Sequence, residues 1–123
     1  MSAAHLRFNL PRALIINANQ KKHWAIEAGK KRNLRTLGKI TATGQTISSE
    51  PVVLHIDIGW PDARRRDAEN LAGTVKALTD GAVDSGLISD DRDSVIKSRV
   101  WTGHKAGVPG ITVITMRFEP VST

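Results

Sequence analysis

The stretch Val52-Val53-Leu54-His55-Ile56-Asp57-Ile58 decides the fold, because it carries the clearest strand pattern in the chain. Its apolar residues recur at every second position. Successive side chains of a β-strand point to opposite faces of a sheet, so this spacing predicts a strand with one buried face. The remaining elements are placed by working outward from it.

A helix and two strands are predicted after this segment. A polar loop over residues 59–66 leads to a helix from near Asp67 to about Ser85, and Gly86 suits the C-terminal cap of that helix. Further strands are predicted at 95–101 and 111–118. The apolar stripe expected on the helix consists of Leu71, Val75, Leu78, Ala82 and Val83.

A strand and a helix are also predicted before residue 52. Leu6, Phe8 and Leu10 alternate with polar residues and stop at Pro11, which predicts a short strand. Residues 20–41 are predicted to form a helix. Its expected apolar side is Trp24, Ala28, Leu34, Leu37 and Ile40. This element order predicts an α+β fold, with one domain over residues 1–123 and a mixed sheet of about four strands flanked by helices.

The composition favours a polyanionic partner. The chain has 123 residues, with 18 Lys and Arg against 12 Asp and Glu, a formal net charge of +6 and a pI near 10.2. Basic domains often bind nucleic acid, because neutralising phosphates releases counterions. No apolar run approaches the roughly 20 residues of a membrane span, and residues 1–12 lack a signal-peptide core, so we expect a cytoplasmic protein. Without cysteine, a metal site would need oxygen or histidine ligands.

Two pairs of acidic residues suggest a metal-dependent reaction on phosphate. Asp67 and Glu69 stand at the start of the second predicted helix, and Asp90 and Asp91 follow its end. Mg²⁺ prefers a few carboxylates together with water and substrate phosphate, and it activates water for phosphodiester hydrolysis. A helix of about 18 residues spans roughly 27 Å, so the pairs meet only if the chain folds back or a partner subunit supplies one of them.

Basic residues near these acids are candidates for phosphate contact. Lys76 follows Glu69 by two helical turns and is expected on nearly the same face, where it could stabilise the phosphate or the leaving oxygen. The residues expected to bind DNA are Arg64, Arg65, Arg66, Lys21, Lys22, Lys30, Lys31 and Arg32.

A purely structural interpretation exists for each of these residues. Asp67 would cap the helix and Glu69 would favour its positive N-terminus. Asp90 and Asp91 would belong to a solvated turn, and the arginines to a solvated loop. Three tryptophans are expected to pack in the core or at its edge rather than stack on bases: Trp24, Trp60 and Trp101.

The chain resembles the RusA family of Holliday junction resolvases. The run Pro61-Asp62-Ala63-Arg64-Arg65-Arg66-Asp67-Ala68-Glu69-Asn70-Leu71 is similar to that family's signature, P-D-x-R-R-R-D-x-D-N-L. Downstream, Lys76, Ala77, Asp80, Gly86 and Asp90-Asp91 follow in the family's order. The similarity covers roughly residues 52–100 well and the N-terminal third loosely.

This resemblance implies a homodimeric endodeoxyribonuclease that cuts four-way junction DNA and binds Mg²⁺ at two acidic sites, with no small-molecule cofactor. By position it implies that Asp67 and Asp91 are catalytic aspartates, that Lys76 is the catalytic lysine and that Arg66 contacts DNA. The implied metal ligands are Asp67, Glu69, Asp90 and Asp91. Such proteins are commonly encoded by phages and prophages.

Two departures from the family pattern bear on activity. Glu69 stands where the family usually has aspartate, and the segment before Lys76 is about one helical turn longer than in shorter members. Two alternatives therefore stay open, a DNA-binding dimer that holds junctions without cutting them, and a basic RNA- or protein-binding domain whose acids are only caps and turns.

Overall fold

The fold is one four-stranded sheet with two helices, seen in a computed structural model that describes residues 2–18, 23–64 and 66–121. The strands are β1 (Ala4–Pro11), β2 (Val52–Trp60), β3 (Ile96–Lys105) and β4 (Ile111–Pro120). The helices are α1 (Trp24–Ala42) and α2 (Ala72–Ser85), with short 3₁₀ helices at Arg12–Leu14 and Ala68–Leu71. The predicted α+β class with a mixed sheet is confirmed.

The strands lie in the order β1-β4-β2-β3. β4 is antiparallel to both β1 and β2, whereas β2 and β3 are parallel. A parallel pair needs a long crossover, and the chain makes it through α2. The carboxyl ends of β2 and β3 therefore lie side by side, with Trp60 opposite Lys105.

One face of the sheet forms the core together with the helices. Alternate residues of β1 and β2 are fully buried, as the sequence predicted, and β4 adds Ile114, Met116 and Phe118. In β3 only Ile96 is buried, since this strand lies at the edge of the sheet. Of the predicted apolar stripe, Val75, Leu78 and Ala82 are buried within α2 and Leu71 is buried just before it, whereas Val83 is only partly buried. Gly86 ends this helix in the left-handed conformation expected of a C-cap (φ 86°).

The apolar side predicted for α1 is wrong at both ends. Trp24 is 82% exposed and Ile40 is 67% exposed, whereas Leu34, Gly38 and Ala42 are the buried positions. Small residues bring α1 against α2. A Cβ on Gly38 would lie 2.3 Å from the Leu78 carbonyl oxygen. This close backbone contact buries only a narrow strip of α1 and leaves its outer residues in solvent.

Three predicted element boundaries also change. The first helix begins at Trp24 rather than near residue 20. Lys21 and Lys22, which were predicted to bind DNA, lie outside the described residues. The second helix begins at Ala72, after a separate 3₁₀ turn, rather than at Asp67. β3 runs on to Lys105 because it keeps parallel pairing with the whole of β2. Within the described parts of the chain, no helix is long and apolar enough to cross a membrane.

Candidate active site

A polar cleft of about 930 Å³ opens at the carboxyl ends of the parallel strands β2 and β3. In open sheets of this kind, ligands commonly bind beyond the carboxyl ends of parallel strands. Trp60 and Trp101 lie along its strand side. The charged lining residues are Asp62, Arg64, Arg66, Asp67, Glu69, His104 and Lys105.

Asp67 and Glu69 both line this cleft, and both are exposed. Asp67 precedes the 3₁₀ helix in an extended conformation (φ −101°, ψ 127°), and its side chain makes no capping hydrogen bond. The capping role that would explain Asp67 structurally is therefore not seen. Neither carboxylate is engaged by another side chain of residues 2–18, 23–64 or 66–121.

Arg66 also lines the cleft, and Trp60 and Asp62 hold its guanidinium in place. Its guanidinium lies 5.0 Å from the centre of the Trp60 ring, within cation–π range. Asp62 accepts from Arg66 Nη1 at 2.7 Å and from Nη2 at 3.3 Å, and it also accepts from the Arg64 backbone N–H at 3.0 Å. These bonds, the one to Arg66 first, hold the pKa of Asp62 below its usual value. Arg65 lies outside the described residues.

Lys76 joins α2 to the acidic loop. Its ammonium donates to Asp80 Oδ1 at 2.7 Å and to Asp91 Oδ2. Hydrogen bonds to these two carboxylates, Asp80 first, raise the pKa of Lys76. The chain turns back after Gly86 and buries Leu87 and Ile88, which returns Asp91 to the middle of α2. The acidic loop therefore folds back onto α2 within one chain, where Asp91 meets Lys76 rather than the carboxylates of the cleft.

The predicted acidic residues form two separate groups in one chain. Asp67 and Glu69 share the cleft, Asp91 pairs with Lys76, and Asp90 accepts from Arg92 Nη2 at 2.6 Å. The Arg92 contact holds the pKa of Asp90 below its usual value. No three Asp, Glu or His side chains of the described residues converge as metal ligands would.

The sequence argument that placed Lys76 on the face of Glu69 is wrong. Glu69 lies in the Ala68–Leu71 3₁₀ helix, outside α2, so α-helical spacing does not connect the two residues. Asn70 stands between them and lines both the cleft and a second, adjoining groove. The Asn70 carbonyl accepts from the Ala18 backbone N–H at 3.0 Å, which ties this ridge to the segment before α1.

The second groove has a volume of about 620 Å³ and lies between α1 and α2. Lys31 and Arg32 line it, as does Lys76. Lys30 does not line it, because its ammonium donates to the Ile15 carbonyl at 2.8 Å. Two of the three α1 residues predicted to bind DNA thus face the same groove as the predicted catalytic lysine.

Two residues of the site, Asp62 and Asp80, were not singled out for a role by sequence reasoning. Each stands four positions from a predicted functional residue, Asp62 before Arg66 and Asp80 after Lys76. On a helix, spacing of i to i+4 is the usual signature of an ion pair, so the Lys76–Asp80 pair was predictable. Asp62 and Arg66 lie in the loop between β2 and the Ala68–Leu71 3₁₀ helix, where this rule does not apply. Lys105 was missed because β3 was predicted to end at residue 101, whereas the strand continues to Lys105.

Comparison with known proteins adds no identification: no family model matches the chain, and no curated protein matches it.

Proposed function

We propose that the protein is a magnesium-dependent endodeoxyribonuclease that resolves Holliday junctions as a homodimer, by paired symmetric nicks. One observation carries the proposal: Asp67 and Glu69, two carboxylates that no other described side chain engages, line a cleft that also presents Arg64, Arg66 and Lys105. Acids beside arginines would repel DNA unless a cation bridged them to it. The order of residues along 61–91, which resembles the RusA pattern, supports the same reaction.

Asp67 and Glu69 are the residues that would hold Mg²⁺. The donor set fits, since Mg²⁺ in phosphate-processing sites usually takes one or two carboxylates and keeps water and substrate oxygens. When bound, the ion supplies a nucleophilic water and neutralises charge on the phosphate. Participation of Asp90 and Asp91 in the same site remains a prediction, because Arg92 and Lys76 engage them in one chain.

The basic residues bind and orient the DNA strand. Arg66, fixed on Trp60 by Asp62, keeps further N–H donors for a phosphate in the cleft. Lys76 holds its proton firmly between two carboxylates and acts as a cation at a phosphate or leaving oxygen. A strand crossing the Asn70 ridge contacts both the cleft and the groove.

Two active sites are required to cut a four-way junction symmetrically, and a twofold dimer supplies them. The dimer offers the second route by which an acidic loop could reach Asp67, namely from the partner subunit. Recognition would rest mainly on phosphate contacts by basic surfaces and therefore weaken with salt.

The test is cleavage of a labelled synthetic four-way junction and a linear duplex of the same sequence, with and without Mg²⁺. We expect paired nicks in the junction alone, lost in Asp67→Asn and in Asp91→Asn. Asp93→Asn is the matched control, because Asp93 is exposed in the same loop as Asp91 and the charge change is identical. Cutting that survives Asp67→Asn, or that ignores the junction, would overturn the proposal.

A second candidate is a dimer that binds junctions without cutting them. The ion pairs that engage Asp90 and Asp91 favour it, since they keep these carboxylates from the pair in the cleft. Tight, salt-sensitive binding of the junction with no Mg²⁺-dependent nicks would select this candidate over the nuclease.

A further inference from the structure

We propose that the groove between α1 and α2 is a binding site for one unpaired nucleotide of the DNA strand, next to the scissile phosphate. The inference rests on the proposed function, because it assigns a substrate contact to the same enzyme. It concerns a surface separate from the acidic cleft, on the other side of Asn70.

The groove has an apolar floor and a charged rim. Its small or aliphatic lining residues are Ile16, Ala18, Ala72, Gly73 and Ala77, of which Ile16 and Ala77 are buried. Its basic lining residues are Lys31, Arg32, Arg35 and Lys76, against Glu27 and Asp80. Its volume of about 620 Å³ falls inside the roughly 300–1,000 Å³ range of sites that enclose a small organic group. A nucleotide has the same two parts, an apolar ring and an anionic phosphate.

Among the described residues, one cation of the rim, Arg32, has no acidic partner. Arg35 is paired with Asp84 at 2.6 Å, Lys31 with Glu27 at 3.7 Å and Lys76 with Asp80. Arg32 makes no ion pair to any described residue and is exposed at the rim. It therefore offers the five N–H donors of a guanidinium to an incoming phosphate at little cost in broken pairs.

The apolar floor argues for an unpaired nucleotide rather than a duplex. In a duplex the base faces are stacked on one another, so only edges and phosphates reach a protein surface. An apolar floor gains contact only with a base that has left the stack. Unstacking costs least where pairing is already interrupted, as it is at the exchange point of a four-way junction. Lys76, at the end of the groove nearest Asp91, links this nucleotide to the proposed chemistry.

The test uses 2-aminopurine, a fluorescent base that is quenched by stacking, placed beside the exchange point of a synthetic junction. The groove contains no aromatic ring, so a base held there should stay bright. We expect fluorescence to rise when the protein binds in the absence of Mg²⁺. Ala72→Phe, which fills the floor from an exposed position, should abolish the rise, and Thr46→Phe, exposed in a loop away from the groove, should retain it.

The charge on the rim is tested separately. Arg32→Gln should reduce the slope of log affinity against log salt concentration by about 1, as expected for one lost phosphate contact. An unchanged slope in Arg32→Gln, or a full fluorescence rise in Ala72→Phe, would overturn the site. A wild-type protein that binds the junction with no rise would overturn it as well.

Failure of the proposed function has a different signature. If the wild-type protein binds no junction, the same base is placed in a single-stranded DNA oligonucleotide. If the protein binds this single strand and Ala72→Phe abolishes the binding, the nucleotide site is supported and the proposed resolvase function is rejected. Absence of single-strand binding, or binding of single-stranded RNA in preference to DNA, would overturn the site as stated here.

Discussion

Lys76 and Asp91 form an ion pair between the middle of α2 and the acidic loop that follows this helix. Asp80, one helical turn after Lys76, accepts from the same ammonium at 2.7 Å. The pair brings two of the residues that the family resemblance assigns to catalysis into direct contact, whereas Asp67 lines the cleft on the other side of Asn70. Asp91 is therefore already paired with a positively charged group, the Lys76 ammonium, within one chain.

Replacing Lys76 with methionine should remove activity more than stability. The side chain is 58% exposed, and exposed ion pairs contribute roughly 0–1 kcal/mol, so the free energy of unfolding should change little. Loss of a preorganised cation at the phosphate should lower the cleavage rate by about 10²-fold or more. Single-turnover cleavage and urea unfolding measure the two effects. Lys97→Met, on the exposed part of β3, is the control and should cut at the wild-type rate.

Replacing Asp62 with asparagine should separate binding from cleavage. The change removes the ion pair that holds Arg66 on Trp60, and misplacement of such a group by about 1 Å can cost up to roughly a hundredfold in rate. It also removes one negative charge from the cleft, so junction affinity should not weaken. We expect a lower cleavage rate at saturating enzyme with an unchanged or smaller Kd. An equal loss in both quantities would mean that Asp62 only supports folding of the loop.

Replacing Glu69 with aspartate should raise the Mg²⁺-dependent cleavage rate several-fold, whereas Glu69→Gln should abolish cleavage. Octahedral Mg²⁺ tolerates little displacement of a ligand, and aspartate restores the side-chain length typical of the RusA pattern. The measurement is the rate as a function of Mg²⁺ concentration. If Glu69→Gln cleaved the junction at the wild-type rate, Glu69 would not be part of the active site.

Substitution of the glycines between the helices should destabilise the fold. A Cβ at Gly81 would lie 2.2 Å from the Arg35 carbonyl oxygen, and at Gly38 it would lie 2.3 Å from that of Leu78. Gly38→Ala and Gly81→Ala should each cost about 1–3 kcal/mol or more, since α1 must move away from α2. Gly29→Ala is the matched control. Its Cβ would meet nothing closer than 3.9 Å, so the helix should gain up to about 1 kcal/mol. Urea unfolding measures whether each substitution lowers or raises the free energy of unfolding.

Acid should weaken the contact between the two helices. Arg35 donates to both oxygens of Asp84, at 2.6 and 2.8 Å, and holds the pKa of Asp84 below its usual value. Because the pKa is lower in the folded chain, the pair stabilises the fold at pH values above about 4 and loses this effect as the pH falls through the folded value. Asp84→Asn should therefore reduce the drop in Tm between pH 5 and about 2.5. Asp93→Asn, at an exposed residue outside this pair, is the control for the loss of one negative charge.

The strands and the second helix were predictable because local periodicity and burial agree there. The alternation at 52–58 indicates a strand with one face buried in the core. The apolar stripe from Leu71 to Ala82 indicates a helix with one side buried. The first helix was harder, because its contact with α2 is made by glycines. Gly38 adds nothing to the apolar pattern of the sequence, yet its lack of a side chain allows the two helices to pack closely.

The sequence by itself determined the α+β class, the basic charge and the presence of two acidic pairs with Lys76 between them. Only the tertiary structure decided which of these residues meet. The turn after Gly86 brings Asp91 to Lys76, and the 3₁₀ helix before α2 keeps Asp67 and Glu69 on the other side of Asn70. Local propensity sets the positions of helices and strands to within a few residues. These contacts instead depend on how the chain reverses direction and packs, which cannot be deduced from spacing along the sequence.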